Sequence, residues 1–258
     1  MKYAVIDVKC EAPYRKIFMV HIPKTAGSTI NHLMAKCLGA DHVLTHIENR
    51  VGALTALNSP PPNILFVSGH HRFPEVIDAV ERSQWFVFFN LRNPVEHLIS
   101  HLKHLKALGN PQDEARRSEN TSEIQQMARR LWEIKLNNID KIHRFINEEF
   151  AEGIQLFDNC QTRYLIRYRA EKIGQSDADE ALRALEAADF VGVTESLAKT
   201  LLAIGKTLGV IIDYSSNDHI NKSLISERVN LNDPAILSYY REAVKWDAAL
   251  YVAAKSRA

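Results

Sequence analysis

Four short runs of nearly continuous apolar residues punctuate the chain: residues 17–21 (IFMVH), 64–68 (ILFVS), 85–91 (WFVFFNL) and 190–194 (FVGVT). Runs of this length, rich in Val, Ile and Phe and without polar alternation, suit parallel strands buried on both faces. Between them the period changes to that of a helix. Ile30, Leu33, Met34 and Cys37 share one face in a segment that ends at Gly39, and Val95, Leu98, Ile99, Leu102 and Leu105 share another after a start at Asn93-Pro94. Strand and helix patterns that alternate in this way predict an α/β fold with a P-loop-like central parallel sheet flanked by helices. From residue 121 to 169 the pattern is helical throughout. From Asp233 to the C-terminus Ile236, Tyr239, Tyr240, Ala243, Val244 and Leu250 predict one amphipathic helix, so the C-terminal half is expected to be largely helical. Residues 59–63 (SPPPN) break one unit from the next, and residues 109–121 (GNPQDEARRSENT) read as an exposed loop able to serve as a lid.

Composition narrows the possibilities. With 258 residues, 46% of them hydrophobic, the chain can bury one substantial core, and residues 1–258 are expected to form a single domain. Thirty-two basic residues against 31 acidic ones leave no global field to draw the protein to nucleic acid or an anionic membrane. Cys10, Cys37 and Cys160 are odd in number and widely spaced, which argues against a disulfide framework or a zinc knuckle and for a reducing compartment. The first 16 residues contain Lys2, Asp7, Lys9 and Glu11 and no long apolar core, unlike a signal peptide or membrane anchor. A cytoplasmic protein without an integral membrane segment is expected.

The chemistry lies where the strands end. "HIPKTAGST" (21–29) is the hinge between the first strand and the first helix. Such a turn aims the unpaired N–H groups of a helix at whatever lies outside the strand, a place that favours an anion. Gly27 permits close backbone approach, Ser28 and Thr29 offer hydroxyl donors or an N-cap, and Lys24 supplies a mobile charge. The order is wrong for an ATPase loop of the G-x-x-x-x-G-K-[ST] type, because Lys24 precedes Gly27 and no earlier Gly is present. A capped turn with an incidental Lys is the plain alternative. In "NLRNPVEHLISHL" (90–102), Arg92 stands at a strand end and Ser100 eight residues further on. They can clamp a second phosphate, or else be an Arg capping a sheet edge and a Ser on a solvated flank.

Taken together, "HIPKTAGST" and "LRNPVEHLISH" resemble the paired cofactor-binding signatures of sulfotransferases that use 3′-phosphoadenosine 5′-phosphosulfate (PAPS), especially the carbohydrate branch with its heparan sulfate and chondroitin enzymes. "NCQTRYL" (159–165), "FVGVTESLAKTLLAIGKTLG" (190–209) and "HINKS" (219–223) extend the resemblance over most of the chain. The resemblance implies that Lys24, Thr25, Ala26, Gly27, Ser28 and Thr29 hold the 5′-phosphosulfate and that Arg92 and Ser100 hold the 3′-phosphate. His71, Gln161, Arg163 and Asn221 become possible contacts to donor or acceptor. It further implies transfer of a sulfuryl group to a hydroxyl, most naturally on a saccharide. A P-loop kinase and a nucleotide-binding scaffold without turnover are the alternatives.

Sulfuryl transfer needs a base for the acceptor hydroxyl and a charge to neutralise the departing bisphosphate. Lys24 suits the second task. "ILFVSGHHRF" places His70 and His71 at a strand end beside the cofactor loops, and the resemblance points to the His that follows Gly, His70, as the base. Successive residues of an extended segment face opposite sides, so only one of the two is expected at the donor. No metal is expected. His97, His101 and His104 share a helix face without a Cys or carboxylate cluster beside them, and read as a solvated stripe. Glu195 is a single acid at a strand end that can imitate a magnesium carboxylate.

Overall fold

A computed structural model describes residues 16–150, 155–168, 170–215 and 224–256. Five parallel strands form the centre: β1 (Lys16–Val20), β2 (Val43–Leu44), β3 (Phe66–Gly69), β4 (Trp85–Leu91) and β5 (Phe190–Val193), in the spatial order β2-β3-β1-β4-β5. The four apolar runs are strands to within two residues. The two-residue β2, paired through Val43–Phe66 and Leu44–Val67, carries too short a pattern to be seen in sequence.

Alternation along each strand divides the core into two layers. Phe18, Val20, Val67, Val87, Phe89, Val191 and Val193 face α2 (Phe73–Ala79), α8 (Gln175–Ala187) and α11 (Lys245–Lys255). Ile17, Met19, Phe66 and Phe88 face the other way, onto α1 (Gly27–Leu38) and α9 (Leu197–Leu208). Strands buried on both faces explain why these segments read as unbroken apolar runs. A third cluster packs α3 (Pro94–Leu108), α5 (Ser122–Trp132), α6 (Ile139–Arg144) and α10 (Pro234–Ala243) through Leu102, Leu131, Ile142, Phe145 and Tyr240.

Three expectations need correction. The stretch from 121 to 169 is not continuous helix: α5, α6 and α7 (Cys160–Arg163) are separate pieces, and residues 151–154 and 169 lie outside the described set. The C-terminal pattern is two helices, because Val244 at φ −127° interrupts α10 and α11. Residues 109–121 are not a plain loop. They contain α4 (Glu114–Ser118), anchored by the buried Arg117 donating to the Asn110 carbonyl at 3.1 Å and to Glu114 at 2.6 Å. Among the described residues no helix is long and apolar enough to cross a membrane.

The topology decides where a ligand can sit. From central β1 the chain runs to β3 on one side and then returns to β4 on the other, so the carboxyl end of β1 is a switch point. There the flanking connections diverge and leave a crevice.

Candidate active site

The loop leaving β1 occupies that crevice. His21 N–H still donates to the Gly69 carbonyl at 2.9 Å, and the chain then turns sharply. Lys24 (φ 65°) and Ala26 (φ 71°) are both left-handed without being glycine, a conformation that costs energy and needs its surroundings to hold it. The surroundings are explicit. Three successive carbonyls accept from three side chains of the β4–α3 segment: Pro23 from His97 Nε2 at 2.8 Å, Lys24 from Arg92 Nη1 at 3.3 Å, and Thr25 from Asn90 Nδ2 at 3.4 Å. With the loop's oxygens drawn toward α3, the ligand side is left to Lys24 and the positive end of α1, which no side chain caps.

Two expectations about this loop change, and Gly27 gains a further role. Gly27 lies outside the positive-φ region. Its hydrogen makes room for the His21 ring, since a Cβ there would lie 2.0 Å from His21 Cδ2. Thr25 turns inward, 1% exposed, and donates its hydroxyl to the Ile22 carbonyl at 2.8 Å, so it braces the turn from inside and does not line the crevice. Neither Ser28 nor Thr29 is the N-cap, a position taken by Ala26.

The crevice opens into a cleft of about 660 Å³ that Lys24, Ala26, Gly27, Ser28, Thr29, His70, Arg92 and Ser100 line together. Two sequence segments 60 residues apart thus meet at one site. Lys24 has its pKa lowered by burial and then by the positive charges of Arg92 and Arg116, while Glu96, 4.0 Å from Arg92, is the acid that shares the cleft.

Gln161 and Arg163 do not reach the cleft. Gln161, fully buried, accepts from Arg92 N–H at 2.7 Å and donates to the Arg92 carbonyl at 3.0 Å, fixing the residue at both ends. Its helix, α7, is held by Asp247, which accepts from Thr162 N–H and hydroxyl at 2.8 Å each and from Gln161 N–H at 3.2 Å. Arg163 pairs with Asp158 and donates to the carbonyls of Ala170 and Glu171. Both residues are scaffolding. Asn221 lies outside the described residues. Glu195 accepts from Asn93 N–H at 2.8 Å and so ties the end of β5 to the start of α3.

The adjacent histidines part company as strand alternation requires. His70 lines the cleft, and its Nδ1 donates to the His21 carbonyl at 2.6 Å, so the lone pair is on Nε2. Burial lowers its pKa, opposed by Glu48 and by the His21 carbonyl. His71 does not line the cleft and sits 3.7 Å from Glu75. The stripe His97, His101 and His104 is not solvated as a whole. His97 and His101 are buried, because α3 turns them toward the β1 loop, and only His104 is exposed.

Asn90 and His97 are the site residues that sequence reasoning missed. Asn90 is a polar residue ending an otherwise apolar strand, and it also accepts from Thr200 at 3.0 Å across Gly192, where a Cβ would lie 1.9 Å from its oxygen. That isolated polarity was the available signal. For His97 there was none beyond its place in the first turns of α3.

A doubly covered parallel sheet, a strand–loop–helix anion cradle at the switch point and an Arg at the neighbouring strand end define a group-transfer enzyme of the phosphate-cradle type. The sequence profile of the sulfotransferase family matches residues 11–250, and the chain belongs to that family. Sulfuryl transfer is its general chemistry. No individual curated protein matches the chain.

Proposed function

We propose that the protein transfers the sulfuryl group of PAPS to a hydroxyl of an acceptor, a saccharide being the acceptor class, as a single cytoplasmic catalytic domain. The observation that carries this reading is the meeting of the Lys24–Thr29 cradle with Arg92 and Ser100 around one cleft. Family membership supports the chemistry, and the resemblance of the two motifs to the carbohydrate branch supports the acceptor class. The polar rim of Lys103, His104 and Asn120 suits a hydroxyl-rich ligand.

In this reading the backbone at the start of α1 binds the 5′-phosphosulfate, and Arg92 with Ser100 binds the 3′-phosphate. His70 Nε2 takes the proton of the acceptor hydroxyl as that oxygen attacks sulfur. The S–O bond to the 5′-phosphate breaks, and its electrons go to the leaving bisphosphate, whose growing charge Lys24 neutralises. Gln161, Asn90 and His97 hold the binding groups in place. The carboxamide grip on Arg92 and the three bonds to the loop carbonyls keep the cradle formed before ligand arrives, so little binding energy goes into ordering it.

Calorimetry tests this directly. 3′-Phosphoadenosine 5′-phosphate is expected to bind without added metal, and adenosine 5′-phosphosulfate, which lacks the 3′-phosphate, at least ~30-fold more weakly, because a charge-assisted pair is worth about 2 kcal/mol or more. Equal affinities, or a strict magnesium requirement, overturn the reading.

A further inference from the structure

His21, His46 and His70 come from three separate parts of the chain and meet at the mouth of the cleft. Each offers a ring nitrogen, and the three atoms lie within 4.8 Å of one another. The His21 and His70 rings stack at 4.2 Å, and His46 tilts over them at 5.8 and 5.7 Å. His21 is 4% exposed, and its Nδ1 is buried with no hydrogen-bond partner, an orphan of a kind that folded proteins rarely leave. The His70 Nε2 lone pair is free because Nδ1–H is engaged. His46 is held in the left-handed region at φ 53°, ψ 45°. Beside them Glu48 brings a carboxylate oxygen to 3.2 Å from His46 Nδ1 and 3.9 Å from His70 Nε2. Hydrogen bonding to Glu48 accounts for His46 and leaves His21 Nδ1 unexplained.

We propose that His21, His46 and His70 form a three-imidazole site for a divalent transition ion of borderline softness, Zn²⁺ first among them, with Glu48 as the adjacent compensating charge. Three imidazoles with an open fourth position are a donor set zinc takes, at Zn–N distances of about 2.0–2.1 Å. Tetrahedral geometry asks for nitrogens roughly 3.4 Å apart, each with its lone pair aimed at the ion, so the stacked His21 and His70 rings, 26° from parallel, must turn out of their stack on binding. No motif betrays this site along the chain, because the three residues are 25 and 24 positions apart. Occupation of the site takes up the His70 lone pair and so shuts off transfer, a consequence that rests on His70 being the base.

The metal-free full chain is titrated with ZnCl₂ by calorimetry and with CoCl₂ by absorption. One zinc per chain at micromolar Kd or tighter is expected, together with visible bands of tetrahedral Co²⁺. The near-ultraviolet thiolate-to-cobalt band must be absent, since the other close cluster, His97, His101 and Cys160, would give it. His46→Asn removes the imidazole while tolerating the left-handed backbone, and is expected to weaken zinc at least ~100-fold, beyond the loss typical of outer-shell changes, with metal-free turnover and melting temperature unchanged. No binding, a thiolate band, or an unaltered affinity in His46→Asn overturns the site. Zinc that binds through these histidines yet leaves turnover intact upholds the site and overturns His70 as the base instead.

Discussion

His70 donates from Nδ1 to the main-chain carbonyl of His21 at 2.6 Å, and the two rings stack at 4.2 Å. The bond ties the end of β3 to the first residue of the cradle loop. It also fixes the tautomer, since a carbonyl can only accept, and leaves Nε2 as the basic atom facing the cleft.

His70→Ala is therefore expected to lose roughly 100- to 10,000-fold in turnover, the usual worth of a general base, while the affinity for 3′-phosphoadenosine 5′-phosphate stays near that of the unaltered chain. Burial lowers the His70 pKa, so if His70 is the base the acidic limb of the rate profile is expected to be displaced to the acid side of an ordinary histidine. His71→Ala, outside the cleft, keeps both the limb and most of the rate. A dead His71→Ala with intact folding contradicts the assignment, as does a limb centred above pH 7.

Lys24→Ala separates transition-state from ground-state binding. In the proposed mechanism the start of α1, which no side chain caps, still holds the bisphosphate, whereas the charge that grows on the leaving oxygen loses its partner. Turnover is expected to fall on the order of 100-fold or more, with a much smaller change in product affinity. A loss confined to affinity makes Lys24 an anchor only.

Gln161→Leu keeps the volume but strips both ends of Arg92 of their partner. Each buried main-chain group left unpaired costs about 1–3 kcal/mol. The melting temperature should drop, and the affinity for 3′-phosphoadenosine 5′-phosphate should weaken at least ~10-fold although Gln161 touches no ligand. An unchanged bisphosphate affinity would show that Arg92 needs no such grip.

Gly27→Ala drives a methyl into the His21 ring and is expected to destabilise by about 1–3 kcal/mol. In the double variant with His21→Ala the obstruction is gone, so the two effects on the melting temperature should be clearly non-additive. Additive losses rule out the contact as the reason for the glycine.

His97 gives the fold an acid-sensitive element. Burial, then the charges of Arg92 and Lys24, hold its pKa to about 4 against the raising effect of the Pro23 bond, while an unfolded His titrates near 6.5. Between those values the unfolded chain binds a proton that the native one refuses, so stability falls as the pH drops from 6.5 toward 4, by about 3 kcal/mol in total for this group. Asp247, pushed up to about 6 by burial, acts in the opposite sense over part of the window, so the comparison must be with a variant. His97→Gln, which can still donate to Pro23, should show a shallower loss of melting temperature from pH 6.5 to 4. Parallel curves refute the assignment.

The chain's own pattern determined the four longer strands, the first helix with its end at Gly39, the third with its start at Asn93-Pro94, and the two cradle segments, because each of these depends on local periodicity, breakers and turn chemistry. Pairing order, the two-residue β2 and the break at Val244 depend on contacts between distant residues, and so do the roles of individual polar side chains. Thr25, Gln161 and Arg163 looked like ligand contacts because they are polar residues in motif-like stretches. Only the packing shows that their hydrogen-bonding groups are consumed inside the protein, by the Ile22 carbonyl, the Arg92 backbone and Asp158. His97 and His101 read as a wet stripe for the converse reason. Helical spacing says which residues share a face, but what that face meets was settled by the β1 loop packed against it.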